Sequence, residues 1–112
     1  MMQVVFVVLH KTELLQDLLT KLKKAGVSGG TIIDSQGMIS YIQESDESYI
    51  LGSLRLFLEQ ARPDSKTMFF IIKDEQVDLV FETIDKALGG LENHNTGIAF
   101  AMPITRVEGV IK

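Results

Sequence analysis

Val4-Val5-Phe6-Val7-Val8-Leu9, followed by Lys11-Thr12-Glu13 and a leucine-striped segment that stops at Gly26, is written a second time further along the chain. The second copy reads Met68-Phe69-Phe70-Ile71-Ile72, then Lys73-Asp74-Glu75, then an apolar-striped segment that stops at Gly89-Gly90. Each copy leads into another strand-like run, Thr31-Ile32-Ile33 after the first and Ile98-Ala99-Phe100-Ala101-Met102 after the second. A duplicated strand–helix–strand unit in a small chain predicts a split βαββαβ sandwich.

The elements can be placed from their periods. The first strand is expected over about Gln3 to Leu9. The first helix begins near Thr12 as N-cap, with Glu13 in its first turn. Leu14, Leu15, Leu18, Leu19, Leu22 and Ala25 recur at helical spacing, Lys21, Lys23 and Lys24 complement the carbonyl end, and Gly26 can take the left-handed cap. A second strand covers about Thr31 to Gln36. The second helix runs from about Asp74 to Leu88, burying Val77, Val80, Phe81, Ile84, Ala87 and Leu88. The last strand covers Ile98 to Met102, and Pro103 is expected to end it by removing a ladder donor. The fold class is therefore α+β: a ferredoxin-like βαββαβ sandwich with an antiparallel sheet, forming one domain over 1–112.

Between Gly37 and Lys66 the chain is too long for a plain connection. It opens with a polar, acidic run, Gln43-Glu44-Ser45-Asp46-Glu47-Ser48. Ile50, Leu51, Leu54, Phe57, Leu58 and Ala61 then share one helical stripe until Arg62-Pro63 stops it. This predicts an extra short amphipathic helix in the long loop after the second strand, over about Glu47 to Ala61. Leu54, Phe57 and Leu58 are its candidate partner-binding residues; the plainer alternative is that this stripe only covers the core.

The bulk composition bounds the function. With 46% hydrophobic and 23% charged residues, the chain has the composition of a folded domain rather than a disordered one. It has no cysteine, which excludes disulfides, thiolate metal sites and a cysteine nucleophile. A net charge of −4 argues against nucleic acid as a partner. The N-terminal apolar run is too short to span a bilayer and has no basic flank, so neither membrane insertion nor export is expected and a cytoplasmic location is the default.

The strands also imply a partner. In such a sandwich both helices cover one sheet face, and a half-exposed strand should alternate apolar and polar residues. Here the first strand is apolar at six consecutive positions and the third at five. Leaving that second face in water would forgo several kcal/mol at about 25 cal/mol per square ångström. Self-association through the sheet is the expected solution, with cover by the inserted helix as the alternative.

Ala25-Gly26-Val27-Ser28-Gly29-Gly30-Thr31, entering the second strand, resembles the turn of the nitrogen-regulatory PII signalling proteins and their PII-like relatives. Ile71-Ile72 leading into the second helix, and Gly97-Ile98-Ala99-Phe100-Ala101-Met102-Pro103-Ile104-Thr105-Arg106-Val107, are similar to that family's second half. The resemblance covers most of the chain outside the region from about Ser40 to Ser65. It implies a homotrimer with sheets facing inward, adenine-nucleotide binding in clefts between subunits, and a loop after the second strand that reports the ligand to a target protein such as a transporter or enzyme. Nitrogen regulation is implied by the resemblance alone.

Several family positions differ. The loop entry Gly-x-Gly-Arg-Gln becomes Gly37-Met38-Ile39-Ser40-Tyr41, and Gly-Asp-Gly-Lys becomes Asn95-Thr96-Gly97-Ile98. The two arginines near the family's C-terminus fall on Gly109 and Ile111, while Arg106 matches an arginine outside the phosphate clamp. The family's modified tyrosine has no aligned counterpart in Tyr41 or Tyr49. Charge-assisted hydrogen bonds contribute about 1.5–3 kcal/mol each, so losing several cationic donors weakens a triphosphate. The candidate ligand residues are Thr31, Gly37, Met38, His94, Asn95, Thr96 and Gly97, the candidate effector an adenine nucleotide with few phosphates.

Other chemistry is thin. His10 closes the first strand and reads as a surface or interface side chain. Asp34, Glu44, Asp46 and Glu47 read as a solvated acidic loop more readily than as a cation site, and no metal ligand is assigned. Ser28-Gly29-Gly30 lacks the lysine and spacing of a P-loop. No nucleophile–base or acid–base pair is present, so no catalytic residue is assigned and the expected role is regulatory rather than enzymatic. The alternative is a trimeric divalent-metal-binding module, similar to the divalent-cation tolerance proteins, using His94 or the acidic loop.

Overall fold

A computed structural model of the chain describes residues 1–38, 64–92 and 96–110. Four strands carry the fold: β1 (Met2–Leu9), β2 (Thr31–Ser35), β3 (Ser65–Lys73) and β4 (Gly97–Ile104). Helix α1 (Leu15–Lys24) joins β1 to β2 and α2 (Val77–Ala87) joins β3 to β4, each entered through one 3-10 turn, Thr12–Leu14 and Asp74–Gln76. The sheet order is β2-β3-β1-β4 and every neighbour is antiparallel. This is the mixed architecture of two helices and a four-stranded antiparallel sheet that the duplication predicts. The expected helix over about Glu47 to Ala61, with Leu54, Phe57 and Leu58, lies outside the described residues.

The duplication extends to the helix ends. At the end of α1, Val27 N–H donates to Leu22 C=O at 3.0 Å and Gly26 N–H to Lys23 C=O at 3.1 Å, with Gly26 at φ 100°. At the end of α2, Gly90 N–H donates to Asp85 C=O at 2.8 Å and Gly89 N–H to Lys86 C=O at 3.2 Å, with Gly89 at φ 72°. Both are Schellman caps, in which a residue at positive φ lets the chain turn back over the last carbonyls. The helix starts differ from expectation. Thr12 sits inside the 3-10 turn rather than capping it; Lys11 occupies the cap position and makes no side-chain cap bond.

Alternation along the strands sorts the side chains onto two faces. Val5, Val7 and Leu9 of β1 and Met68, Phe70 and Ile72 of β3 are buried beneath Leu18 and Leu22 of α1 and Val80, Ile84 and Leu88 of α2. The intervening residues face the other way. Phe6 pairs with Phe69 on one side and Phe100 on the other, with ring centroids 5.6 Å and 5.1 Å apart. Ile33, Ile98, Phe100 and Met102 on this second face are all exposed within a single chain.

Pro103 does not end β4. It pairs with Gln3 inside the ladder, and the strand continues to Ile104. The reason is position: β4 is a sheet edge, where a residue without an N–H can sit with that side turned outward.

Candidate functional site

The Schellman cap at Gly26 ends α1, and the chain then runs as Val27-Ser28-Gly29-Gly30 into β2. Gln76 Nε2, from the turn before α2, donates to Gly26 C=O at 3.5 Å and ties this loop to the second half of the fold. Gly30 lies against β3: a Cβ there would sit 3.0 Å from the Phe69 carbonyl oxygen and 3.2 Å from the Phe70 Cβ. A side chain there would make β3 yield by a few tenths of an ångström, so glycine suits this close approach. Thr31 then pairs with Phe69, which places it on the open face beside Phe69 and Ile71.

A pocket of about 370 Å³ forms there. It is walled by Ser28, Gly29, Gly30 and Thr31, floored by Phe69 and Ile71, and closed by Gly109 and Val110 of the segment after β4. Two further grooves adjoin it. One, of about 630 Å³, lies between α1 and β2 and adds Leu19, Val27, Ile32 and Lys23; the other, of about 560 Å³, adds Met1, Lys73, Glu75 and Val107. Phe69, Ile71, Gly109 and Val110 were not picked out as ligand candidates from sequence. The signal for Phe69 and Ile71 was there, since strand alternation puts them on the face of Thr31.

Thr96 and Gly97 lie elsewhere. Thr96 C=O accepts from His10 N–H at 3.1 Å and Lys11 N–H at 3.4 Å, closing the turn after β1. Its hydroxyl is fully buried and has no hydrogen-bond partner among the described residues. A Cβ on Gly97 would stand 2.6 Å from the Val8 carbonyl oxygen, so this glycine is required by the contact of β4 with β1. Gly37 and Met38 follow the end of β2, and Met38 is 77% exposed. Ser35 pairs with Ser65 and Leu9 pairs with both Lys66 and Gly97, so the ends of β2 and β4 share one end of the sheet. They are nevertheless on opposite edges. Three inter-strand spacings separate them, about 14 Å. A single chain therefore does not gather Thr31 and Gly37 with Thr96 and Gly97 around one small ligand. His94 and Asn95 lie outside the described residues.

The electrostatics of this region are quiet. Among the described residues no group of three or more His, Asp or Glu is arranged to hold a metal ion. Asp34, one member of the acidic set, is paired with Lys66; Glu44, Asp46 and Glu47 lie outside the described residues. On α2, away from the pocket, the Glu82 pKa is lowered and that of Lys86 raised, each chiefly by their mutual hydrogen bond. At the end of β2, Ser35 Oγ lies 2.7 Å from Ser65 Oγ and 2.8 Å from Thr67 Oγ1, pinning the last turn of pairing between β2 and β3. Among the described residues, no helix is long and apolar enough to cross a membrane.

Residues 2–112 match the family described as nitrogen regulatory protein P-II. Among solved structures, the fold is similar to a crystal structure of Arabidopsis thaliana PII bound to citrate, with a TM-score of 0.64 and 19% sequence identity over 92% of this chain and 77% of the other. Direct sequence comparison with curated proteins finds no match.

Proposed function

The chain belongs to the nitrogen regulatory protein P-II family, and from that premise we propose that it works as a homotrimeric sensor of a small effector, bound in clefts between subunits, that controls a partner protein. The observation that carries this reading is the separation of the candidate residues onto opposite sheet edges. Thr31 and Gly37 go with β2 and Thr96 and Gly97 with β4. A ligand that touches both sets needs a second copy of the chain. The open face supplies a reason for that copy to be there, because Ile98, Phe100 and Met102 of β4 and Ile33 of β2 form exposed apolar surface on the side away from the helices. Pairing such a face with its own kind removes apolar area from water and completes the site in one step.

The effector belongs at the pocket of Thr31, Phe69 and Gly109, which borders this face, and an adenine nucleotide with few phosphates fits the loss of the family's cationic positions at Ile98 and Gly109. His94 and Asn95 would be offered from the neighbouring subunit. The segment after Gly37, with Leu54, Phe57 and Leu58, would carry the signal to the partner. The role is regulatory, in an intracellular setting, without a reaction of its own.

Thermal unfolding against ATP, ADP, AMP, cyclic nucleotides and divalent metals, with the mass of the species measured by light scattering, tests the proposal. A ligand that binds only the folded state raises the midpoint. A trimer whose midpoint rises with a nucleotide is the expected result. A monomer, or a midpoint that moves with a divalent metal and with no nucleotide, overturns it.

A further inference from the structure

Ile32 and Ile33 are neighbours in β2, 44% and 48% exposed, and alternation turns them to opposite faces of the sheet. Ile33 belongs to the open face. Ile32 pairs with Met68, a buried core residue, so it lies on the helix side, where one chain ought to cover it. It stays uncovered because α1 and α2 pack over β1 and β3, while β2 is outermost in the sheet. What results is the groove of about 630 Å³ between α1 and β2. Leu19, Leu22, Val27, Ile32 and Met68 line it, and Lys23 is the one charged side chain there among the described residues.

We propose that this groove seats the chain's own connecting segment, with the stripe of Ile50, Leu54, Phe57 and Leu58 laid against Leu19 and Ile32. The segment, residues 39–63, lies outside the described residues. Its two ends select it as the occupant. Ser35 pairs with Ser65, so the segment leaves and returns at the same end of β2. From there the groove follows β2 to Lys23 and the glycine loop, about 13 Å away over four strand steps. The residues ahead of the stripe reach that far, and Ile50 to Ala61, as the helix their period predicts, cover about 17 Å on the way back. Charge points the same way. The part that arrives at the Lys23 end is Gln43-Glu44-Ser45-Asp46-Glu47, and neither Lys23 nor Lys24 has an ion-pair partner among the described residues. Attraction between the two sets the direction in which the stripe lies. Tethering at both ends then gives the stripe an effective concentration of roughly millimolar, which favours this groove over any free partner of similar affinity. A target protein that takes Leu54, Phe57 and Leu58 competes with the groove for them.

The chain has no cysteine, so introduced pairs report contact directly. Ile32→Cys is combined with Leu54→Cys or with Phe57→Cys in the full chain, and Ile33→Cys with the same partners is the control on the opposite face. Oxidation is followed on denaturing gels, and the linked peptides are identified by mass spectrometry. The expected result is that an Ile32 pair links within one chain about tenfold faster than either Ile33 pair. Equal rates on the two faces, faster linking at Ile33, or no linking overturns the proposal. Linking chiefly between two chains also overturns it, by giving the groove to a second copy. A double-mutant cycle needs no introduced thiol. The urea midpoint shifts of Ile32→Ala and Phe57→Ala should together exceed that of the double variant, and strictly additive shifts overturn the contact. Neither readout involves an effector, so a failure of the sensor reading leaves this proposal standing, and the reverse.

Discussion

Phe69 and Phe70 are neighbours in β3 with the same side chain and opposite circumstances. Phe70 points under the helices, is 2% exposed, and packs with Val5, Val7, Leu18 and Ile84 in a core that one chain completes by itself. Phe69 points to the other face, where Phe6 and Phe100 share a row with it and Ile98 and Met102 stand exposed beside them. One face of the sheet is finished when the chain folds. The other is built of the same residue types and is left open, at a cost that a lone domain has no reason to carry. The difference separates what one chain completes from what it leaves open: the covered face holds the fold, and the open face is the surface on which the proposed assembly would act.

The largest expected effect tests that separation at its source. Phe70→Ala should destabilise the protein by about 3–5 kcal/mol, through lost burial plus the cavity left behind. Phe69→Ala, read in the same urea titration at the lowest workable protein concentration, should cost clearly less, because part of its ring is already in water. Equal losses for the two would break the comparison and make the open face part of the single-chain core. Phe100→Asp goes a step further on the open face. Its expected signature is dissociation of the assembly in sedimentation with the circular dichroism of the fold retained; loss of the fold instead would give β4 a core role that its exposure does not suggest.

A smaller effect is expected at Thr96, whose buried hydroxyl has no partner among the described residues. Thr96→Val keeps the shape and removes the polar atom, so the protein should be unchanged or more stable by up to about 1 kcal/mol in chemical unfolding. A loss larger than that would mean the hydroxyl is satisfied in the assembled protein by a group the single chain lacks. The result would then tie Thr96 to the assembly side of the comparison rather than the folding side.

The architecture was legible because it was written twice. Two apolar runs, two striped helices and two glycine stops specify the strand and helix order, and the Schellman caps at Gly26 and Gly89 are present where the glycines predicted them. Unbroken apolar character in β1 and β3 corresponds to a sheet that carries apolar side chains on both faces. What local rules missed were matters of position in the sheet. Pro103 looks like a terminator until β4 is known to be an edge, and Thr12 looks like a cap until the 3-10 turn shifts the helix start by a few residues. Of the pocket proposed as the site, Thr31 was placed by the turn that precedes it, while Gly109 and Val110 reach it only through the path of the chain after β4, which no periodicity encodes. That Gly37 and Gly97 stand on opposite edges is likewise a fact of strand order, invisible in the spacing of either motif.

The smallest effect is expected on neither face. Glu82 and Lys86 sit one turn apart on the outer side of α2, 2.8 Å from each other and both exposed. Their mutual hydrogen bond, the first cause of both shifts, lowers the Glu82 pKa and raises that of Lys86. The signs follow from linkage. A lowered carboxylate pKa contributes stability above the usual carboxylate range, and this is lost as pH falls through the lowered folded value. A raised lysine pKa contributes below the usual lysine range, and this is lost as pH rises through the raised folded value. The pair is therefore intact through neutral pH, and an exposed pair of this kind contributes little and is screened by salt. Glu82→Gln should leave the unfolding midpoint at neutral pH and high salt unchanged within error, and should only flatten the acid limb of the stability profile. A shift at high salt that rivals Phe69→Ala would mean that surface charge, and not the unequal cover of the two sheet faces, governs how this chain holds together.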